Sequence, residues 1–227
     1  RLLQRINDPV CVCLLLRFAV AHKAEMEHRR VFKIDQHLLA LQKKLSDRFL
    51  QISAVNKQAL KTADPKQFVD KKSASNSSTS SSSHHANSMT KRFAEFAVSI
   101  LLLDSPEIED LIINQLNEIS VDVIELLEKI SREFTSQEMR YVLMINNLYL
   151  ISATIQQRAQ IQTQNIGSKP FLVSEFFRTK LADYTAYFVD LVIQINFPAL
   201  VETVRKAFSQ IESKDPPIQT GFSENEL

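Results

Sequence analysis

Glycine is nearly absent from this sequence. Only 2 of its 227 residues are glycine, whereas glycine averages about 7% in proteins. Tight turns, β-bulges and the loops that cradle phosphate groups depend on glycine, because it has no Cβ and tolerates positive φ angles. The deficit therefore favours long helices joined by few tight turns, and it excludes the usual nucleotide-binding loops.

Cysteine is equally scarce. The two cysteines, Cys11 and Cys13, cannot build a disulfide framework. On a helix, a spacing of two places them on roughly opposite sides, so they would not bind one metal ion together. We interpret them as small buried hydrophobic side chains of a protein in a reducing compartment.

Long hydrophobic runs are also missing. The run from Val10 to Val20 is apolar apart from Arg17, but it is far shorter than the roughly 20 residues needed to span a bilayer. Apolar residues nearly surround the start of this predicted helix, so we expect that end to be central and buried.

Catalytic motifs are missing as well. The sequence has no Gly-x-Ser-x-Gly elbow, no His-Glu-x-x-His motif and no paired cysteine site. Glu25 and His28 have the Glu-x-x-His spacing of di-iron helix bundles, but such sites need a second motif of this kind. We therefore predict no catalytic residue, no cofactor, no metal site and no enzymatic activity.

Charge is unevenly distributed along the chain, although its net value is only +1. Residues 1–72 carry 15 Lys and Arg against 7 Asp and Glu, whereas residues 90–134 carry 4 basic against 10 acidic residues. One interpretation is that the two regions attract each other within the fold. The other is that the basic region binds anionic lipid or an acidic partner.

The strongest helical signal lies between Asp104 and Gln162. Apolar residues recur there at alternating spacings of four and three: Ile112, Leu116, Ile119, Val123, Leu126 and Ile130. This seam predicts an amphipathic helix packed lengthwise against partners. We predict that the helix starts at Asp104-Ser105-Pro106, where a capping oxygen precedes proline. A capping-box pattern at Thr135-Ser136-Gln137-Glu138 predicts the start of the next helix.

Further helices are predicted on both sides of this block. The first opens with Asp8 as cap and Pro9 as first residue and runs to about His28. The apolar stripe of the second comprises Ile34, Leu38, Leu41, Leu45, Phe49, Ile52, Val55 and Ala59. That of the last comprises Leu200, Val204, Phe208 and Ile211. The pattern as a whole predicts an all-α protein of about seven helices with no convincing strand.

Composition also predicts the division of the chain. We expect an N-terminal helical pair at 1–65, a serine-rich disordered linker at 66–89, a helical bundle region at 90–213 and a loose tail at 214–227. The linker cannot bury enough apolar surface to offset its ordering entropy. Its His84 and His85 are only two possible metal ligands on a mobile loop, which makes a poor site.

Asn146 and Asn147 are unusual because they interrupt an apolar helical pattern. A buried asparagine fixes the register of packed helices in coiled coils. The alternative is that one of these amides recognises a ligand.

Several stretches together resemble one known family. They are Asp8-Pro9, Leu60-Lys61-Thr62-Ala63-Asp64-Pro65, Arg92-Phe93-Ala94-Glu95-Phe96, Glu133-Phe134-Thr135-Ser136, Leu143-Met144-Ile145-Asn146-Asn147-Leu148-Tyr149 and Phe197-Pro198-Ala199-Leu200-Val201. In order and spacing they resemble the vacuolar protein sorting subunit fifty-two family. This family supplies the shared subunit of the Golgi-associated (GARP) and endosome-associated (EARP) retrograde tethering complexes. The chain opens on Arg1, so we expect a C-terminal region fragment of a longer protein, without the family's N-terminal coiled-coil region.

The resemblance implies a fold and a function. The fold would be an elongated, CATCHR-like rod of stacked antiparallel helical bundles. The function would be non-enzymatic tethering of endosome-derived vesicles at the cytosolic face of the trans-Golgi network and endosomes. Sister subunits, SNARE proteins and a Rab-type GTPase would be the partners, with no nucleic acid and no small-molecule substrate. A basic helical module that binds membrane surfaces is the alternative.

The resemblance also marks the residues that carry it as structural or partner-binding. They are Arg92, Phe93, Glu95, Phe96, Phe134, Ser136, Ile145, Asn146 and Asn147.

Overall fold

Helices make up nearly all of the described part of the chain. The computed structural model describes residues 3–69, 88–103, 106–162 and 169–212. Within these ranges lie seven α-helices and no strand: α1 Pro9–His28, α2 Asp35–Thr62, α3 Ser88–Leu102, α4 Glu109–Arg132, α5 Gln137–Gln162, α6 Lys169–Asn196 and α7 Pro198–Glu212. Short 3₁₀ turns occupy Leu3–Arg5, Phe32–Ile34 and Pro65–Phe68. The all-α prediction is confirmed.

These ranges leave out most of the predicted linker and all of the predicted tail. Most of 66–89, including His84 and His85, and all of 214–227 lie outside the described residues. The division of the chain proposed from composition therefore stays a prediction. Contacts among Cα atoms instead separate two compact units, Arg1–Thr185 and Ala186–Leu227.

Helix α4 joins the helices of the first unit. α1 pairs with α2, α3 pairs with α5, and α4 packs against α2, α3 and α5. Every residue of the predicted α4 seam is buried, from Ile112 to Ile130. The alternation of four and three therefore identified the packed side of this helix correctly.

The start of α4 differs from the prediction. The helix begins at Glu109, its N-terminal cap residue is Ile108, and no side chain caps it. Pro106 lies in the turn that precedes the helix rather than in its first helical turn. The Ile108 side chain is buried in the core, so apolar packing holds the helix entry where a polar cap was expected.

The start of α5 is displaced by one residue from the predicted capping box. Ser136, and not Thr135, is the cap, and its Oγ accepts a hydrogen bond from the Met139 N–H at 3.5 Å. Glu138 therefore comes one position too early to complete a reciprocal box. The Arg140 guanidinium reinforces the turn by donating to the Phe134 carbonyl oxygen at 2.7 Å.

Helix α1 is buried on one side only, so the expectation of a fully buried end is wrong. Val12 and Leu16 lie in the core, whereas Leu14, Leu15 and Phe18 are exposed. The reason is that α1 packs against α2 and α3 on that one side. Leu14, Leu15 and Phe18 form an exposed apolar patch on the first unit, here called the α1 patch.

The stripe predicted for α2 is correct only in part. Leu45, Phe49 and Ile52 are buried, but Leu41 and Val55 are exposed. Helix α2 packs against α1 and α4 at once, which turns its buried side toward residues outside the predicted stripe. The small Ser53 side chain is buried there.

The turn after α1 places a bulky residue where glycine is preferred. Arg30 has a φ of 58°, and its N–H donates to the Glu27 carbonyl oxygen at 3.0 Å. The Val31 N–H donates to the Met26 carbonyl oxygen at 2.9 Å. These two bonds form a Schellman motif, in which glycine usually takes the left-handed position.

We expect Arg30→Gly to raise the free energy of unfolding by about 1 kcal/mol or less, because glycine adopts this φ without a Cβ clash. Urea denaturation measures the change. Arg29→Gly is the matched control: Arg29 has a φ of −79°, so glycine there should only lose stability. A less stable Arg30→Gly variant would contradict the prediction.

The second unit exposes its apolar side chains. Leu200, Val204 and Phe208 lie on one side of α7, as predicted, and all three are exposed. The side chain of Ile211 lies outside the description.

Among the described residues, no single helix has the length and apolar composition to cross a bilayer. One bent pair of helices, Val173–Asn196 with Pro198–Ser209, meets that criterion jointly.

Candidate functional site

An apolar groove of about 540 Å³ is the candidate site of the first unit. It lies where α2 and α3 both pack on α4. The residues that line it are Asn56, Ala59, Leu60, Ala63, Phe68, Ser88, Met89, Arg92, Phe93, Phe96, Ile119, Val123 and Leu126. We call this the α2–α3 groove.

The floor of the α2–α3 groove belongs to the α4 seam. Ile119, Val123 and Leu126 line the groove and are buried. Seam residues recur every three or four positions, so they present a continuous apolar strip along α4. The strip lies between α2 and α3, and part of it lines an opening that the helices leave.

The two walls differ in side-chain size. On α3, Met89, Phe93 and Phe96 follow the spacing of four and three that places them on one side. On the α2 side, Ala59 and Ala63 are small and one helical turn apart. The α3 wall is therefore bulky and aromatic, whereas the α2 side is low at these two alanines and carries larger apolar side chains elsewhere.

The rim of the groove is polar. Asn56, Ser88 and Arg92 line it with exposed side chains. Among the described residues, the Arg92 guanidinium has no hydrogen bond or ion pair. This charged group is therefore available to an incoming anion.

Ion pairs beside the groove tie α2 to α4. Lys57 pairs with Glu118, and the Lys61 ammonium lies 3.4 Å from Asp122 Oδ1. Asp122 is buried, whereas Glu118 is half exposed. These contacts support the interpretation that some of the basic residues in 1–72 form ion pairs with the acidic residues in 90–134 within the fold.

A buried hydrogen bond connects α3 to α5. Thr90 Oγ1 donates to Asn147 Oδ1 at 2.7 Å, and Asn147 Nδ2 donates to the Leu143 carbonyl oxygen at 2.8 Å. Asn147 has no exposed surface. This geometry gives Asn147 a contact between helices, whereas Asn146 is half-buried on the same helix. Recognition of a partner by either amide stays a prediction.

The structure brings three of the family-motif residues to the groove and leaves the others elsewhere. Arg92, Phe93 and Phe96 line it. Phe93 also packs against Phe177 of α6, with ring centroids 5.7 Å apart. Glu95 points elsewhere and lies 3.8 Å from Arg158, in an exposed pair.

The remaining motif residues lie just before α5 or in its first half. Phe134 is buried in a small cluster with Leu126 and Leu143. Ser136 caps α5, and Ile145 is half-buried on it. None of these side chains lines the groove, so their contribution in the fold is to the packing and start of α5.

No cluster suited to a metal ion exists in the described part of the chain. No three His, Cys, Asp or Glu side chains come close enough to hold one. Glu25 is paired with Arg29 at 2.5 Å, so the Glu25 and His28 spacing does not assemble a ligand set.

Sequence reasoning missed the α2–α3 groove. Composition places Ala63 at the end of the helical pair and Phe68 and Met89 in the linker, and it predicts no site at any of the three. The spacing of Met89, Phe93 and Phe96 was a usable signal, because it makes one side of α3 apolar beside an arginine.

Comparison with known proteins gives one consistent result. The family model described as "Vps52, C-terminal" matches residues 1–185. The vacuolar protein sorting-associated protein 52 homologs of Rattus norvegicus and Homo sapiens are each 23% identical over 204 residues, or 89% of this chain and 25% of the relative. The chain thus spans about a quarter of the length of these relatives. No solved structure matches it significantly.

Proposed function

Because the chain belongs to the Vps52 C-terminal family, we propose that it is a non-enzymatic scaffold segment of a multisubunit vesicle tether. The observation that carries this proposal is the extent of the family match. Residues 1–185 coincide with the first compact unit, Arg1–Thr185. The matched region therefore corresponds to one compact unit of this chain rather than to an isolated motif.

The proposed process is retrograde transport from endosomes to the trans-Golgi network. The segment acts at the cytosolic face of these membranes and associates with them peripherally, through its complex. Its partners are sister subunits, with SNARE proteins and a Rab-type GTPase as further ones. What supports a partner-binding role is the amount of apolar surface left uncovered on the first unit, in the α1 patch and the α2–α3 groove.

A binding experiment with purified components tests this proposal. The tagged chain is incubated with the purified sister subunits, and separately with SNARE domains and with the GTPase. We expect at least one sister subunit to be retained at a stoichiometric level. The control bait is Leu116→Asp, which disrupts the core. Absence of retention by a correctly folded chain would contradict the proposal.

A second function, binding to anionic membrane surfaces, is favoured by one specific feature. Val31 and Phe32 are exposed in the turn between α1 and α2. Arg29, Arg30 and Lys33 surround them in sequence. An apolar tip flanked by cations inserts into anionic headgroup layers.

Phe32→Ser is expected to reduce flotation of the chain with phosphatidylserine vesicles, because it removes the apolar tip. Binding of the unaltered chain should fall as salt is raised, since screening weakens the contribution of the cations. Phe18→Ser is the matched control, because Phe18 and Phe32 are both 63% exposed and Phe18 lies on α1 outside the turn. Equal loss in both variants, or no binding by the unaltered chain, would reject the membrane function.

A further inference from the structure

We propose that the α2–α3 groove binds one short amphipathic helix of a sister subunit, with apolar anchors on its buried side and a carboxylate that pairs with Arg92. This inference rests on the proposed function, because it takes the partner from the same tether. It adds the site, the kind of segment that enters it and the charge that segment must carry.

The length of the groove suits a helix of about two turns. Its lining residues extend from Ile119 to Leu126 on the floor and from Met89 to Phe96 on one wall. Seven residues of an α-helix rise about 10 Å, which is roughly two turns. One or two bulky side chains spaced four residues apart fit along this length. The volume of about 540 Å³ lies within the range of sites that enclose such groups.

The low part of the α2 side favours a helix over an isolated side chain as the occupant of the groove. Ala59 lies in the last turn of α2 and Ala63 directly follows the helix, and both side chains are small. Small residues allow the backbone of a second helix to approach closely. On the opposite wall, Met89 is flexible enough to adjust to the anchor, as methionine does at many binding surfaces. The walls thus admit a helix and hold its apolar side chains.

Charge defines the occupant further. Lys57 and Lys61, the neighbouring lysines on α2, are already paired with α4. Arg92 is the cation at the rim that these pairs leave available. A guanidinium binds a carboxylate in a bidentate, directional way. The incoming helix should therefore carry an aspartate or glutamate beside its apolar side.

Two other occupants fit less well. The chain segment 70–87, which joins Val69 to Ser88, has no apolar side chain larger than alanine, so its composition offers no anchor for the groove. Side chains that insert into a bilayer protrude from the protein surface, whereas Ile119, Val123 and Leu126 are recessed and buried. A helix of a partner protein can reach into the recessed groove and can also carry the carboxylate that pairs with Arg92.

Site-specific photo-crosslinking in the assembled tether tests the proposal. A photoreactive amino acid replaces Asn56, which lies at the groove rim, or Ala54, which is exposed and does not line the groove. Each variant is co-purified with the sister subunits and irradiated. We expect Asn56 to crosslink to a sister-subunit helix with apolar residues four apart and a neighbouring acid, and Ala54 not to do so. Crosslinks confined to this chain, formed only with added lipid vesicles, or absent, would overturn the proposal.

Variants that block the groove give an independent readout. Ala59→Trp fills the groove from the α2 side, and Arg92→Glu reverses the rim charge. Both should leave the melting temperature unchanged or higher and weaken retention of the sister subunit by about tenfold or more, the loss typical of an important interface contact. Ala54→Trp and Lys91→Glu are the matched controls and should retain binding.

These results separate the two proposals. If no sister subunit co-purifies with the unaltered chain, the proposed function and the groove assignment both fail. If sister subunits co-purify normally with both Ala59→Trp and Arg92→Glu, the groove assignment alone is overturned.

Discussion

Leu116→Asp is expected to unfold the first unit, whereas Val121→Asp on the same helix should leave it folded. Leu116 is 1% exposed in the middle of the α4 seam, and Val121 is 45% exposed. Replacing the leucine removes its apolar contacts, which alone costs about 2–5 kcal/mol, and places a carboxylate in an apolar environment. The sum is comparable to the whole stability of a typical domain, roughly 5–15 kcal/mol.

Circular dichroism melting and binding of a hydrophobic dye measure this effect. Leu116→Asp should lose the cooperative transition and bind dye at low temperature, whereas Val121→Asp should melt close to the unaltered chain. Glu118→Ala provides a second control, because its pair with Lys57 is partly exposed and such pairs contribute at most about 1 kcal/mol. A stable Leu116→Asp variant together with an unfolded Glu118→Ala variant would mean that α4 faces the other way.

Thr90→Val should lower the free energy of unfolding by about 1–3 kcal/mol, because it removes a donor from the buried Asn147 side chain while preserving volume. The bond it removes, 2.7 Å long, joins α3 to α5. Asn147→Leu leaves the Thr90 hydroxyl without this acceptor and should cost a similar amount. The double variant, which replaces both polar groups with apolar ones, should cost clearly less than the sum of the single variants.

Urea denaturation of the unaltered chain, the two single variants and the double variant gives the coupling free energy between Thr90 and Asn147. Ser99→Ala, on the same helix, is the control: its hydroxyl donates to the Glu95 carbonyl oxygen within α3 and makes no bond between helices in the described part of the chain, so the change should be small. Additive effects of the two substitutions would show that the Thr90–Asn147 bond does not couple the helices.

Retention of a sister subunit by Asn146→Leu and Asn147→Leu tests separately whether these amides recognise a partner. Loss of binding at unchanged stability would place a partner contact on α5.

Sequence periodicity identified individual helices well where one side of a helix carries the packing. The bounds predicted for the first helix, Pro9 to about His28, agree with α1. The seam of α4 was identified residue by residue. Both succeed because capping chemistry and the spacing of apolar residues are local properties of the chain.

The ends of helices and the burial of individual side chains were less predictable where they depend on how several helices pack together. Asp104-Ser105-Pro106 has the composition of a helix start, but burial of Ile108 shifts the start of α4 to Glu109. Leu14 and Phe18 are as apolar as Leu16, yet only Leu16 meets the rest of the core. A pattern on one helix does not state which neighbours will cover it.

The sequence by itself determined that this protein is helical, which residues of α4 face inward and which family it belongs to. Scarce glycine, three-and-four spacing and ordered family motifs are all readable along one chain. Only the tertiary structure decided that α2 and α3 leave a groove above α4, with Ala59 and Arg92 on opposite sides of it. These residues are far apart in sequence, and the angle at which each helix packs on α4 brings them together. That angle depends on the side chains of all three helices at once, so no single stretch of the sequence specifies it.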